Sequence, residues 1–168
     1  MSKTPLQQLV QRLRYLRNWE LFNIFLLPVC LIAVIRNLQI ASWILYGYAM
    51  FLICYVLVQG TWYWHIKLQS IRAGVRTLPA HFYRWFPVFQ RSNIVLFILY
   101  PLIVLLVQGA GQTRISEIVL ATALALFAVL EHINYYHYQL MHDNMPDIRY
   151  LMRHKRLRPA PIATDLRQ

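Results

Sequence analysis

The stretch "EHINYYHYQLMHD", residues 131–143, gathers polar side chains directly behind an apolar run at residues 115–130. An ionisable group at the depth of Glu131 is costly in a membrane unless it is paired or neutralised. Imidazole and carboxylate are suitable ligands for zinc, iron or manganese. Tyrosine, histidine, glutamate and arginine at a membrane surface also suit a quinone or a lipid headgroup. The segment therefore indicates either a ligand site or a polar rim that fixes the helices.

A helix through residues 131–143 would collect these groups on one side, because successive residues advance by about 100°. The shared face would hold Glu131, Tyr135, Tyr138 and His142. His65, at the end of the second apolar run, reaches the same level on a neighbouring helix. We expect His65, His132 or an arginine to pair with Glu131. The candidates for a ligand site or polar rim are Glu131, His132, Asn134, Tyr135, His137, Tyr138, His142 and His65.

The histidines of this segment are poorly spaced for a metal ion. His132, His137 and His142 follow one another at intervals of five residues, so consecutive ones lie about 140° apart on a helix and cannot share an ion. A metal site would use these three and Glu131, but the H-E-x-x-H pattern is absent. Haem b would need histidines that face each other inside the bundle. We expect His65, His132 and His137 to lie at its rim instead. We expect no cofactor, with a metal ion or haem as alternatives.

The composition is typical of a membrane protein. Hydrophobic residues make up 58% of the 168 residues and charged ones 14%, against roughly 25% charged in soluble domains. Four apolar runs leave too little polar surface for a soluble domain, and they lie at 21–35, 43–64, 94–107 and 115–130. With their flanks they predict transmembrane helices at 19–37, 42–65, 92–108 and 115–140. The two outer connections are short, which predicts two antiparallel hairpins.

Lysine and arginine are distributed unevenly between the segments outside these runs. The N-terminal tail carries four, the stretch between the second and third runs five, and the C-terminal tail six, whereas the other two connections carry one each. This bias predicts that both termini and the central stretch are cytoplasmic, in the inner membrane. The formal charge of +11 lies beside apolar runs, which fits anionic lipid headgroups better than nucleic acid. We expect the aromatic, basic central stretch to lie at the same membrane surface.

Residues 5–18 predict an amphipathic helix that lies on the inner leaflet. Thr4 is its N-cap and Gln7 completes a capping box. Residues 145–168 form a basic cytoplasmic tail, which we expect to be extended from Arg158 onward. The candidates for contact with lipid headgroups are Arg12, Arg14, Arg17, Arg149, Arg153, Lys155 and Arg156.

The C-terminal part of the chain resembles a known group of proteins. "EHINYYHYQLMHD", followed by "RYLMRHKRLRPAPIATDL", is similar to the ending of an uncharacterised family of small bacterial four-span membrane proteins with a C-terminal E-x-x-N-Y-Y-H segment. The likeness covers about the last 40 residues. The family has no established activity, so the resemblance implies four spans and a polar helix end but no catalytic residues.

These features predict an all-α membrane protein that forms a single integral-membrane domain over residues 1–168. No catalytic set is recognisable, so we expect a non-enzymatic accessory or scaffold protein. Its basic cytoplasmic face would bind anionic phospholipids and a membrane or cytoplasmic protein partner, or a second copy of the chain. Its polar rim around Glu131 would fix the helices or hold a small ligand. The alternatives are a metal- or cofactor-binding membrane enzyme or redox subunit, built on the Glu/His cluster, and an oligomeric channel or carrier.

Overall fold

The computed structural model describes residues 4–38, 43–75, 77–111, 113–141 and 145–167. The regular structure in these residues is helical, apart from an isolated β-bridge between Tyr138 and Pro159. The helices are α1 (Pro5–Leu38), α2 (Trp43–Arg72), α3 (Ala80–Gly109), α4 (Ile115–Tyr136), α5 (Met145–His154) and α6 (Pro161–Leu166).

Helices α1 to α4 are each long and apolar enough to cross a membrane, which confirms the prediction of four helices that could do so. Their most apolar 18-residue windows have mean hydropathies between 1.6 and 2.0. Large apolar side chains cover the outside of these helices: Phe25 is 68% exposed, Ile98 63% and Leu106 74%. Such a surface is stable in hydrocarbon, where each helix satisfies its own backbone hydrogen bonds.

Helix α2 lies at the centre of the bundle. More than half of its apolar window, 56%, is buried, against 6% for α1, 11% for α3 and 28% for α4. It packs against all three of these helices. Tyr46, Leu52 and Ile53 of α2 fill the core together with Ala121 and Ala125 of α4. Small residues such as these alanines allow helices to approach closely in lipid.

Helix α1 is one continuous helix, not a surface helix followed by a separate span. The predicted boundary after residue 18 is wrong, because no glycine or proline interrupts the helix before Pro28 and Leu13 is already buried against the bundle. The predicted capping box is confirmed. The Thr4 backbone N–H donates to Gln7 Oε1 at 3.1 Å, and the Gln7 N–H donates to Thr4 Oγ1 at 3.4 Å.

Helix α3 begins at Ala80, well before the span predicted at 92–108. The aromatic stretch assigned to the central connection is therefore mostly helical. Pro79 takes the extended N-cap conformation (φ −68°, ψ 154°). Phe82 and Phe86, one turn apart, are fully buried against α2, and their packing extends the helix beyond the apolar run.

Helix α4 ends at Tyr136, not at residue 140 as predicted. The side chain of Asn134 stabilises a turn after the helix, because its Oδ1 accepts a hydrogen bond from the Leu140 backbone N–H at 2.8 Å. The chain then pairs with its own C-terminal segment: the Gln139 N–H donates to the Arg158 carbonyl at 2.9 Å. This reversal brings residues after α4 back over the end of the bundle.

The C-terminal segment is ordered against the bundle, and the prediction of extended chain from Arg158 onward is wrong. The Ala160 N–H donates to the His137 carbonyl at 3.1 Å. Pro161 opens α6 at the first helical position, where its missing N–H is no loss. Ile162 is fully buried in the core at this end, so α6 is anchored by apolar packing as well as by the pairing before it.

Candidate functional site

The last turns of α4 present two faces to the rest of the molecule. His132 and Tyr136, four residues apart, contact α2 and α3, and we call them the closed face. Glu131 and Tyr135, also four residues apart, border a cavity beside α1, and we call them the open face. The predicted polar arc is therefore divided between two environments.

The closed face belongs to a buried hydrogen-bond network that joins α2, α3 and α4. Gln59 Nε2 donates to Asn93 Oδ1 and Asn93 Nδ2 donates to Gln59 Oε1, each at 2.9 Å. Asn93 Nδ2 also lies 3.0 Å from His132 Nδ1, and the Tyr136 hydroxyl donates to Gln59 Oε1 at 2.8 Å. All four side chains are at most 4% exposed. Hydrogen bonds in such a low-dielectric setting are strong and fix the helices relative to one another.

His132 and His137 lie together, contrary to the prediction from their spacing. Their ring centroids are 5.4 Å apart, because α4 ends at Tyr136 and His137 leaves helical geometry (φ −125°, ψ −69°). The Asn93 amide donates to His132 Nδ1, which assigns the ring proton to Nε2. This Nε2 is buried without a hydrogen-bond partner among the described residues. Within those residues, no three His, Cys, Asp or Glu side chains are grouped closely enough to hold a metal ion.

Three of the predicted site residues do not join either face. His65 is exposed on α2. Tyr138 is 54% exposed and forms the β-bridge with Pro159; it would share a face with Glu131 only if the helix continued. His142 lies outside the described residues.

A carboxylate of α1, Glu20, completes the open face. Its Oε1 accepts a hydrogen bond from Trp64 Nε1 of α2 at 2.6 Å, and the Tyr135 hydroxyl lies beside the same carboxyl group. Its Oε2 is buried and makes no hydrogen bond of acceptable geometry to the described residues. The helices approach this closely because Gly60 has no side chain: a Cβ there would lie 2.5 Å from both Glu20 Oε2 and the Tyr135 ring.

Sequence reasoning missed Glu20, although a signal was present. Glu20, Glu117 and Glu131 are the carboxylates within the four candidate spans, and an ionisable residue in a span is a functional candidate. Glu20 directly precedes the first apolar run, where it resembles an ordinary flanking residue. Its position against Gly60 and Trp64 depends on how α1 packs on α2, which no local pattern reveals.

Glu131 has a different partner from those predicted. Asn134 Nδ2 donates to Glu131 Oε2 at 3.4 Å, a long hydrogen bond within the same helix. Among the described residues, neither an arginine nor a histidine is bonded to this carboxylate. Glu131 and Glu20 border the same cavity, so two carboxylates face it from opposite helices.

Two adjoining cavities lie beside the open face. The first, of about 240 Å³, lies between α1, the ends of α2 and α4, and the segment before α6; we call it the basic cleft. The second, of about 470 Å³, runs between α1 and α4; we call it the apolar groove. The residues that border both are Leu16, Glu20, Asn134, Tyr135 and Met141. Tyr135 and Glu20 thus lie on the wall shared by the cleft and the groove, whereas Glu131 borders the groove alone.

The cleft and the groove differ in chemistry. The cations that border the basic cleft are Arg12, Lys67 and Arg158. Lys67 Nζ lies 2.7 Å from Asp165 Oδ2, which also accepts a hydrogen bond from the Tyr63 hydroxyl at 2.6 Å, so α6 positions the ammonium group. The apolar lining of the groove includes Leu57, Phe127 and Leu130.

Not all the cations predicted to contact lipid headgroups border the basic cleft. Arg12 borders it, and Arg17 bonds its neighbour Asn18 at 2.8 Å. The others are exposed elsewhere on the described chain, namely Arg14, Arg149, Arg153, Lys155 and Arg156. Lys67 and Arg158 were not predicted, because their place at the cleft depends on the chain reversal after α4 and on the docking of α6.

The arrangement places clustered cations, two carboxylates and an apolar groove in sequence at one end of the bundle. It suits a ligand that is anionic at one end and apolar at the other. Comparison of the chain with protein-family models, with curated protein sequences and with solved structures finds no match. The resemblance to small four-span membrane proteins stays a prediction.

Proposed function

We propose that this chain is a small accessory protein of the inner membrane that binds an anionic phospholipid at the basic cleft. The observation that carries the proposal is the continuity between the cleft, bordered by Arg12, Lys67 and Arg158, and the apolar groove. A phosphate forms charge-assisted hydrogen bonds with clustered cations. The groove, at about 470 Å³, lies within the range of about 300–1,000 Å³ that ligand pockets occupy and gives an acyl chain an apolar path into the bilayer.

The same end of the bundle is proposed to face the cytoplasm, with α1–α2 and α3–α4 as two antiparallel hairpins. The distribution of lysine and arginine between the segments outside the apolar runs supports this orientation. Hydrogen-bonded pairs support the hairpins: Glu20–Trp64 and Ile24–Cys54 between α1 and α2, and Asn93–His132 and Tyr100–Thr122 between α3 and α4. Anionic lipids are concentrated in the cytoplasmic leaflet, where a basic cleft would meet them.

The exposed cations of the C-terminal segment are proposed to extend this basic face. Arg149 and Arg153 lie on α5, followed by Lys155 and Arg156, and all four are exposed. Each such cation near an anionic leaflet contributes about 1 kcal/mol to membrane association. We propose that a protein partner, or a second copy of the chain, binds the same face, which would make the chain a scaffold.

The test is a competition between phosphatidylglycerol and phosphatidylcholine for the detergent-solubilised protein, with the bound populations measured by native mass spectrometry. We expect at least about a tenfold preference for phosphatidylglycerol, because the cations contribute about 1 kcal/mol each. The paired substitution Arg12→Ala with Arg158→Ala should abolish the preference. Added salt should weaken it through screening.

The matched control is Arg84→Ala with Arg91→Ala, which removes two exposed cations of α3 that do not border the cleft. It should retain the preference of the unaltered chain. Equal binding of the two lipids by the unaltered chain would refute the proposal. An equal loss in the control pair would assign the preference to overall charge and not to the cleft.

A metal- or cofactor-dependent redox subunit is the second candidate. It is favoured by the proximity of His132 to His137 and by the buried His132 Nε2, which has no hydrogen-bond partner among the described residues. Elemental analysis and an absorption spectrum of the purified protein test it, beside His132→Ala and His137→Ala. Stoichiometric metal or a haem band that both variants lose would favour this candidate over lipid binding.

A further inference from the structure

We propose that the apolar groove recognises the ester linkage of the bound lipid, through a hydrogen bond from the Asn23 side chain to an ester carbonyl. The ligand class is then an anionic glycerophospholipid with ester-linked acyl chains, as distinct from an ether-linked lipid with the same headgroup. This inference rests on the proposed function, because it names the class of lipid that the cleft and groove select.

Asn23 is a polar side chain of α1 that the fold leaves facing the groove. It borders the groove and is partly exposed, so a ligand can reach it. Its amide has no hydrogen-bond partner anywhere in the described chain. An unsatisfied polar group in hydrocarbon costs several kcal/mol. A ligand oxygen that accepts from the Asn23 Nδ2 would remove part of that cost.

The groove contains one other amide side chain, that of Asn134 on α4, and it is already engaged. Its Oδ1 accepts a hydrogen bond from the Leu140 backbone N–H at 2.8 Å. Its Nδ2 donates to Glu131 Oε2 at 3.4 Å. Of the two groove amides, Asn23 is therefore the one that the fold leaves for a ligand.

The position of Asn23 corresponds to that of an ester in the order of groups along a lipid. Leu16 and Glu20 border both the cleft and the groove, whereas Asn23 borders the groove alone. It lies three residues beyond Glu20, a rise of about 4.5 Å along the helix. Leu57 and Phe127 also border the groove and make it apolar. In a glycerophospholipid the ester carbonyls likewise lie between the phosphate and the apolar chains, so a phosphate in the cleft brings a carbonyl to the level of Asn23.

The chemistry of the linkage decides whether Asn23 can bind it. The Asn23 side chain carries two amide N–H donors. A carbonyl oxygen of an ester accepts a hydrogen bond, whereas an ether-linked lipid has no carbonyl at this point. Asn23 would therefore distinguish two lipids that share a headgroup and differ only in how their chains are attached.

The experiment compares diacyl phosphatidylglycerol with its dialkyl ether analogue of equal chain length. Equimolar amounts compete for the detergent-solubilised full chain, and native mass spectrometry measures the bound populations. We expect the ester lipid to exceed the ether lipid by about three- to tenfold, as for one hydrogen bond between uncharged groups. Because the headgroups are identical, the cations of the cleft do not contribute to this ratio.

The role of Asn23 is tested by Asn23→Leu, which keeps a similar side-chain size and removes the donor. The ratio of ester to ether lipid should fall to about one. The matched control is Asn18→Leu, the same substitution at an exposed position of the same helix that borders neither cavity; it should keep the ratio. Because the ratio compares two ligands on one protein, partial loss of folded protein does not change it.

The outcomes separate this inference from the proposed function. If the ester and ether lipids bind equally to the unaltered chain, or if Asn23→Leu keeps the preference for the ester, the inference is wrong. The proposed function still stands in either case, provided that phosphatidylglycerol is preferred to phosphatidylcholine. If no anionic lipid is preferred, both are wrong.

Discussion

The closed and open faces of α4 differ although they occupy the same turns of one helix. On the closed face, His132 and the Tyr136 hydroxyl are bonded to amide side chains of two other helices. On the open face, Glu131 and Tyr135 border a cavity, and Glu20 of α1 lies beside the Tyr135 hydroxyl. One face is filled by protein, and the other leaves room for a ligand.

The difference arises from the neighbours of the two faces. Imidazole, phenol and carboxylate groups are all costly to leave unpaired in an apolar setting. Helices α2 and α3 supply Gln59 and Asn93, whose amides both donate and accept, so they bond each other, His132 Nδ1 and the Tyr136 hydroxyl. Helix α1 supplies Glu20, whose carboxyl group accepts a hydrogen bond from Trp64 Nε1 and lies beside the Tyr135 hydroxyl. The closed face is therefore packed between helices, whereas the open face borders the cleft and the groove.

The largest effect on the free energy of unfolding is expected from a substitution that removes hydrogen bonds of the closed face. Asn93→Leu removes two hydrogen bonds with Gln59 and one with His132, and leaves both partners buried. We expect the free energy of unfolding to fall by about 2–4 kcal/mol, because each buried unsatisfied group costs about 1–3 kcal/mol and interhelical bonds in membranes lie at the lower end. Thermal unfolding in detergent, followed by circular dichroism, measures the change.

The control for Asn93→Leu is Ile94→Ala, at the next position of α3. Ile94 is 47% exposed on the lipid-facing side of the described bundle, so its truncation should change the free energy of unfolding by less than about 1 kcal/mol. If the two variants were equally stable, the closed face would not be a structural network.

The second largest effect is expected at Gly60, where α2 meets the open face. Gly60→Ala introduces a Cβ that would lie 2.5 Å from Glu20 Oε2 and from the Tyr135 ring. We expect a loss of about 1–3 kcal/mol from overpacking. Gly47→Ala is the matched control on the same helix, since nothing lies within 4 Å of its added Cβ; alanine there should raise the free energy of unfolding by up to about 1 kcal/mol. The same unfolding measurement tests both, and a change of the same sign in both would contradict the close approach at Gly60.

Sequence reasoning succeeds where the signal is local. The four spans follow from runs of apolar residues, and the start of α1 follows from Thr4 and Gln7 at capping-box spacing. The predicted end of α4 is wrong because the Asn134 side chain accepts a hydrogen bond from the backbone N–H of Leu140, which stabilises a turn there. Helical propensity alone gives no indication of that turn.

The sequence predicts one polar rim at the end of the fourth helix, whereas the structure divides its residues between two faces. His132, Glu131 and Tyr135 were expected on one polar rim, yet they lie on two faces with opposite surroundings. The residues that decide the difference, Asn93 and Glu20, come from other helices. Which helices are neighbours depends on tertiary packing, and a periodic pattern within one helix carries no information about it.

The third prediction concerns α6, which helps to form the basic cleft. Asp165→Asn removes the ion pair with Lys67 and weakens the hydrogen bond from Tyr63, and both side chains of the pair are only partly exposed (28% and 13%). We expect a loss of about 1 kcal/mol, and several-fold faster trypsin cleavage after Arg156 as α6 undocks. Arg167→Gln, at an exposed position after α6, is the control. Unchanged cleavage in Asp165→Asn would mean that apolar packing of Ile162 alone holds α6.

The smallest change in stability is expected at the open face itself, and the adjacent residues Glu131 and His132 offer the most direct comparison. Glu131→Ala removes one long hydrogen bond within the helix, so the free energy of unfolding should change by less than about 0.5 kcal/mol. His132→Ala breaks a bond to Asn93 and opens a cavity, and should cost about 2 kcal/mol or more.

Measurements on these two variants could also contradict the distinction between the closed and open faces. If Glu131→Ala left stability, lipid binding and recovery of a protein partner all unchanged, the open face would have none of the roles assigned to it. If it destabilised the protein as much as His132→Ala, the open face would be a second packing network. Only a change in lipid binding without a change in stability is consistent with an open face that belongs to a ligand site.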